Sequence, residues 1–312
     1  GFFLLLFQFA GGGLDLAFIV SFVSAEDAAA GTAYSKAEER IDLARGMPSK
    51  YPDKFALATS PEEARDAVAA GKLAIAIGIE NGDALESRLD RLAYFRDRGV
   101  SYITLTHAED NTLCDSSTGS GSERRWGGLS PLGREAIKEM NRLGIMVDLA
   151  HATDKTLYQA VELSSAPVIV SHTGARARTP GFERNISDEA MKAVAGKGGV
   201  IQMAFGSLFV NDAYRSTYSS ADLAAVADVA ASIHHAVSVA GIDHVGIGSD
   251  FDGAGPSLPR KLKDVSMYPN LVRELIVLGY GEQELDKILG GNFMRVWRSE
   301  ERRVGKECRS RW

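Results

Sequence analysis

Leu73-Ala74-Ile75-Ala76-Ile77-Gly78-Ile79-Glu80 is the stretch on which the reading of the fold turns. Seven residues with no charge run straight into a carboxylate. Apolar and polar residues do not alternate, so the run does not describe a strand with one wet face. A short run rich in Ile and Ala, ended abruptly, describes a strand covered on both faces, as in a parallel sheet. An unpaired carboxylate is costly to bury, so Glu80 marks the tip at which the strand leaves the core.

The same design recurs along the chain. Strands are predicted over Leu16–Val23, Tyr102–Thr106, Met146–Leu149, Val168–Ser171, Val200–Met203 and His244–Gly248, which with Leu73–Ile79 makes seven. Helices separate them. Ser60-Pro61-Glu62-Glu63 combines a capping hydroxyl, a proline at the first helical position and acids in the first turn. Ser130-Pro131 repeats that start before a helix predicted over Arg134–Leu143. Others are predicted over Glu86–Asp97, Lys155–Leu163, Asp188–Val194, Leu223–Val239, Leu271–Leu278 and Glu284–Leu289. Successive βα units with no evident linker imply one α/β domain over residues 11–298. The expected architecture is a (β/α)8 TIM-type barrel with its first strand missing or replaced, because eight strands are needed and seven are found. An open doubly wound sheet is the rival, but no Gly-x-Gly-x-x-Gly turn follows any strand.

What stands at the strand tips points to chemistry. Glu80, His107, His151, His172 and Asp250 close five of the seven strands. In a parallel barrel those tips share one rim, where active sites of this architecture lie. His and carboxylate donors without cysteine suit Zn2+ or a similar divalent ion, and a shared carboxylate suits two ions. Asp148, inside its strand, is a candidate partner for His151. His234, His235 and His244 lie on a helical stretch or at the entrance of a strand and are read as structural.

Composition narrows the class. Of 312 residues, 45% are apolar and 24% charged, with a net charge of −6, which argues against a nucleic-acid partner. Cys114 and Cys308 provide neither a disulfide framework nor a thiolate metal site. Residues 1–10 form an atypical apolar segment. Phe2 to Phe7 is too short to span a bilayer and is read as a cut or replaced segment, a buried strand, or the end of a signal sequence. The stretch from Arg298 to Trp312 abandons the apolar periodicity and resembles the conceptual translation of a common sequencing adapter. Residues 299–312 are therefore read as a non-native tail, the alternative being a basic nucleic-acid-binding extension.

Six ordered motifs resemble those of the membrane (renal) dipeptidase family. They are Gly78-Ile79-Glu80-Asn81-Gly82; Leu105-Thr106-His107 with Asn111 and Asp115; Asp148-Leu149-Ala150-His151; Ser171-His172-Thr173; Arg184-Asn185-Ile186; and Gly248-Ser249-Asp250-Phe251-Asp252-Gly253. The likeness spans roughly Gly11 to Trp297 and ends on Gly291-Asn292-Phe293-Met294-Arg295-Val296-Trp297. It implies a zinc-dependent hydrolase of dipeptides acting through a metal-activated water. Glu80 would bridge two zinc ions, and His151 and His172 would complete the second site. His107 would bind and polarise the substrate carbonyl or its oxyanion. Arg184 would clamp the terminal carboxylate, for which a forked guanidinium is well shaped, and Asp250 would be the acid/base. A homodimer is the assembly implied, with no transmembrane segment in the chain.

One departure matters. The family carries a His-x-Asp pair on its first strand, and no His-x-Asp occurs here. Gly11-Gly12-Gly13-Leu14-Asp15-Leu16-Ala17-Phe18 resembles the family's second strand, and Asp15 falls at the entrance of that strand rather than its tip. The chain is therefore expected to hold one zinc site whole and one incomplete, with impaired activity. The alternatives are a non-catalytic zinc-binding barrel and an amidohydrolase acting on other amides or lactams.

Overall fold

The computed structural model describes residues 11–119 and 124–309, with side chains as far as residue 300. The apolar segment expected over residues 1–10 lies outside them. The chain divides into two compact units and passes from one to the other within a strand.

The first unit comprises Asp15–Ile169 and the chain from Met294. It holds β1 (Leu16–Phe22), β2 (Phe55–Leu57), β3 (Leu73–Glu80), β4 (Val100–Thr104) and β5 (Met146–Asp148), all parallel. β1 runs beside β3 from Leu16↔Ala74 to Phe22↔Glu80. β2 pairs with Leu73–Ile75, and β4 takes up the pairing from Ile77, with a register shift between Ile77 and Gly78. β4 pairs with β5, and β5 pairs with Ile169, the first residue of β6 (Ile169–Thr173).

Sealing on both faces is what the sequence of β3 dictates. Ala74, Ile75, Ala76, Ile77 and Ile79 are completely buried. Each isoleucine contributes about 2 kcal/mol from the area it withdraws from water. Phe18 of β1 packs on Tyr102 and on the fully buried Trp297, at ring-centroid distances of 5.5 and 5.3 Å. That contact fastens the C-terminal helix (Asn292–Arg309) to the strand.

Helix starts follow the capping chemistry of the sequence. Ser60 Oγ accepts from the Glu63 amide at 3.0 Å and opens the helix Pro61–Ala69. Ser130 Oγ accepts from the Gly133 amide at 2.9 Å, donates to the Thr112 carbonyl at 2.6 Å and opens Pro131–Leu143. That helix stops at Gly144, whose φ of 71° suits a residue without a side chain.

The second unit comprises Val170–Phe293 with residues 11–14. It contains the rest of β6, then β7 (Val200–Met203) and β8 (Val245–Ile247), the last two parallel from Ile201↔Val245 to Met203↔Ile247. Its principal helices are Asp188–Gly196, Val226–Ala240 and Tyr268–Val277.

All seven expected strands are present, with ends displaced by one or two residues, and the α/β class with parallel strands is as expected. β2 was not anticipated. The helix expected from Glu86 begins at Asp90, because Gly82–Leu85 forms a tight turn and Glu86 and Ser87 take φ of 42° and 62°. The one expected over Glu284–Leu289 is an α-helix only over Glu282–Asp286, followed by a wide turn over Lys287–Gly291. The C-terminal helix carries the backbone across residue 298, where the apolar periodicity of the sequence stops. Among the described residues, no helix is long and apolar enough to cross a membrane.

Two substitutions test this account by equilibrium denaturation. Ser130→Ala removes a cap and its second hydrogen bond and should cost about 1–2 kcal/mol. Gly46→Ala, inside the helix Ala33–Lys50 where an added Cβ meets nothing within 4 Å, should raise stability by about 0.5–1 kcal/mol.

Candidate metal centre

Glu80, His107 and His151 converge in the first unit. The Glu80 carboxylate oxygen Oε1 lies 3.0 Å from His151 Nε2 and 3.9 Å from His107 Nε2. One ligand atom from each residue lies within 4.8 Å of the others. The two imidazole rings are 4.3 Å apart between centroids. Side-chain exposures of 16% for Glu80, 28% for His107 and 10% for His151 leave the cluster accessible, yet shielded enough to strengthen its electrostatics.

The motif around Glu80 explains how the carboxylate is held. Gly78 is small because the Tyr102 ring lies over it, with ring carbon Cζ 2.2 Å from where a Cβ would stand. Gly82 admits Leu113 and the Leu105 carbonyl in the same way, at 2.4 and 2.7 Å. Asn81, between them, donates from Nδ2 to the Val23 carbonyl at 3.1 Å and accepts on Oδ1 from the Asp83 amide at 3.2 Å. It also accepts from Asn111 Nδ2 at 3.0 Å. The tip of β1, the tip of β3 and the loop after β4 are thereby joined one residue from Glu80. Burial pushes the Asp83 carboxyl above the usual range, against the pull of its hydrogen bond from Asn81 and the charge of Arg125.

His107 stands three residues beyond β4 on a loop shaped from within. Buried Asn111 donates to the Leu105 carbonyl at 2.8 Å and accepts from the amides of Leu113 and Cys114 at 2.8 and 3.1 Å. His151 stands three residues beyond β5 with φ of 66°, a left-handed conformation uncommon outside glycine but one that histidine enters more readily than most residues. Ser116, fully buried, ties the two together: its hydroxyl donates to the His107 carbonyl at 2.5 Å and lies 3.5 Å from that of His151. The Ser117 amide donates to the His151 carbonyl at 2.7 Å. Asp148 accepts from Thr104 Oγ1 at 2.5 Å and from the Ala150 amide at 3.1 Å, bracing the turn that leads to His151.

The other expected site residues belong to the second unit. His172 lies within β6 rather than past its end, its Nδ1 2.9 Å from Ser171 Oγ. Arg184 is 6% exposed, donates from Nη1 to the His172 carbonyl at 3.2 Å, and sets its guanidinium 5.3 Å from the centre of the Phe209 ring. Asp250 stands three residues beyond β8 with φ of 55°. The three histidines read as structural have local partners: His234 with the Tyr280 hydroxyl at 3.0 Å, His235 with Asp188 at 2.8 Å, and His244 with the Gly199 carbonyl at 2.8 Å.

Two imidazole nitrogens and a carboxylate oxygen at this spacing fit a zinc ion or a similar divalent metal by the chemistry of the donor set. The sequence reading placed His107 at this site, with a substrate-binding role. It missed Ser116, for which the sequence carries no signal, and the bracing by Asn81 and Asn111, which it quoted within motifs without a role.

A model of the membrane dipeptidase family, peptidase family M19, matches residues 6–309 of this chain. The chain belongs to that family. An uncharacterized dipeptidase of Schizosaccharomyces pombe is 39% identical over 271 residues, which cover 84% of this chain and 62% of the relative's length. The chain thus spans less than two thirds of that dipeptidase. Among solved structures, a probable dipeptidase, PvdM, of Pseudomonas aeruginosa is 28% identical with a TM-score of 0.87, covering 96% of this chain and 88% of that one. A further M19 metallopeptidase, dipeptidase AC, is 25% identical with a TM-score of 0.84 over 95% of this chain and 88% of its own.

Impairment was the expectation drawn from the missing His-x-Asp pair of this M19 chain, and the geometry does not support it. A three-donor cluster is assembled from residues the chain possesses, because the loop after β4 brings His107 within reach of Glu80.

Asn111→Ala tests the bracing of this centre. It would leave two amides and two acceptors near Glu80 short of partners, so a loss of about 2–4 kcal/mol in unfolding free energy is expected by denaturant titration.

Proposed function

We propose that this chain hydrolyses the peptide bond of dipeptides with zinc, on a (β/α)8-type barrel, using Glu80, His107 and His151 as metal ligands. The convergence of those three donors within 4.8 Å carries the reading. Family membership supports the substrate class, as do the names of the relatives. A zinc ion held there would polarise a carbonyl and bring the pKa of a bound water to about 7.

The chain's own residues divide the remaining work. Glu80 is the charged member of the ligand set and offers two oxygens, so it can serve more than one ion. His107 stands close enough to Glu80 to reach either a shared ion or the substrate carbonyl that the resemblance implies. For His172, Arg184 and Asp250 the family resemblance supplies the roles. His172 is a further ligand, and Arg184 binds the terminal carboxylate through its planar fork of donors. Asp250 takes the proton from the attacking water and delivers it to the departing amine.

Zinc analysis combined with hydrolysis of L-Ala-L-Ala and L-Ala-D-Ala tests the proposal. Chelation should abolish hydrolysis and added zinc restore it. Glu80→Ala and His151→Ala should lose bound zinc together with at least about a hundredfold in kcat/KM. Asp250→Asn should keep its zinc and lose rate. A zinc-loaded protein that cleaves neither dipeptide, or a Glu80→Ala variant with unchanged zinc content and rate, would refute the proposal.

A further inference from the structure

Asp250 occupies a left-handed turn beyond β8, with φ of 55° and ψ of 42°, just ahead of the short helix Phe251–Ala254. Its backbone is held on both sides. The Ser249 carbonyl before it accepts from the Phe205 amide at 3.3 Å, and its own carbonyl accepts from the Ala254 amide at 2.8 Å. Phe251, which follows it, packs on Phe205 and Tyr268 at ring-centroid distances of 5.5 and 5.8 Å, and those two rings lie 5.9 Å from each other. The Tyr268 hydroxyl is hydrogen-bonded to the Ser249 side chain. Phe205 is completely buried, so the three rings anchor the turn to the core.

A fixed backbone still leaves the carboxylate a choice of rotamers. Where it rests is recorded at Gly253. A Cβ added there would stand 2.2 Å from Asp250 Oδ1, 2.9 Å from its Cγ and 3.0 Å from its Oδ2. The three nearest atoms all belong to one carboxyl group, so the Asp250 carboxylate lies in the space that a side chain at residue 253 would fill. Backbone conformation does not ask for glycine at this position. Gly253 lies within the helical turn, is exposed, and is absent from the glycines with positive φ. Alanine would be the more stable choice in such a turn. What glycine provides here is room.

We propose that Gly253 is a positioning residue for Asp250, its bare Cα forming the seat on which the carboxylate rests when it takes the proton from the attacking water. The inference rests on the acid/base role proposed for Asp250 above. Gly253 has no side chain to offer the reaction and acts only through where the carboxylate stands. A base must lie within about 2.6–3.2 Å of the atom whose proton it takes. A Cβ at residue 253 falls far inside van der Waals contact and would push the carboxylate aside by on the order of 1 Å, a displacement able to cost about a hundredfold in rate. The obstructed group is the free end of a side chain, so the fold can absorb the substitution while the chemistry cannot.

The test is a double-mutant cycle on the zinc-loaded full chain, read by steady-state hydrolysis of whichever of L-Ala-L-Ala and L-Ala-D-Ala the parent protein cleaves faster. Thermal unfolding and zinc analysis accompany each variant. Gly253→Ala should fold with at least the stability of the parent, hold as much zinc, and lose roughly 10–100-fold in kcat with KM little changed. Asp250→Ala should lose at least as much. Adding Gly253→Ala to Asp250→Ala should lose nothing further, because the carboxylate that the new Cβ displaces is gone. Parent-like kcat in Gly253→Ala, full additivity of the two substitutions, loss of zinc or failure to fold would each overturn the inference and leave the dipeptidase reading standing. A parent-like rate in Asp250→Ala overturns the acid/base role and the inference with it. Absence of hydrolysis by the zinc-loaded parent protein overturns the inference together with the proposed function.

Discussion

Glu80 carries its charge at the mouth of a strand that is otherwise sealed from water. The residues before it gain by burial, and a carboxylate in their place would cost several kcal/mol unless paired. The charge therefore has to sit where the strand ends, and there it needs partners. Nitrogen donors from His151 and His107 answer that need on one side. On the other, the backbone immediately after Glu80 is tied to neighbouring segments, so the carboxylate stays where it is instead of swinging into solvent. A strongly apolar strand and a carboxylate set beside two imidazoles are thus two consequences of a single arrangement, because the sealed strand supplies the rigidity that a site requires.

Part of that rigidity is stored against backbone preference. Asn81 and His151 both take positive φ, at 88° and 66°. Each such residue costs on the order of 1–3 kcal/mol and persists where its surroundings determine it more than once. For Asn81 the surroundings are the Val23 carbonyl, the Asp83 amide and the Asn111 amide group. For His151 they are the Ser117 amide and the Ser116 hydroxyl at its carbonyl. The left-handed turn after β5 swings the His151 side chain toward β3, where a continued extended strand would have carried it onward. Strain at a ligand position is here the means by which a strand end is redirected.

These constraints left uneven traces in the sequence. Sealed strands are legible because burial on both faces excludes polar residues over a whole run, as in β3 up to Glu80. Glu80, His107, His151, His172 and Asp250 are legible because a titratable residue at a strand end interrupts such a run. β2 is not legible: Phe55–Leu57 is three residues long, too short for any periodicity, and exists because Leu73–Ile75 offers it a partner. The surroundings of His107 were hidden for a different reason. A strand's register locates its tip, but the path of the long loop after β4 depends on side-chain bonds to carbonyls, from Asn111 to Leu105 and from Ser116 to His107. Serine and asparagine at such places look like any other loop residue until the chain has folded around them. Resemblance to the family supplied what spacing could not, a role for each tip residue, and the fold sets the His107 ring beside that of His151.

The two histidines are not equivalent partners of Glu80, and the difference follows from how each is held. His151 reaches hydrogen-bond distance at 3.0 Å from a backbone locked at both its own carbonyl and the preceding Asp148. His107 stands at 3.9 Å, beyond a hydrogen bond, at the end of a loop and between two rings. A metal ion needs neither nitrogen to touch the carboxylate; it needs all three donors at about 2.0–2.2 Å from a common point. Donors at that distance in a tetrahedral set stand about 3.4 Å from one another, so the Glu80–His151 contact at 3.0 Å is shorter than that separation and the Glu80–His107 one at 3.9 Å is longer. An ion shared by all three would therefore ask both contacts to adjust, the first to open and the second to close.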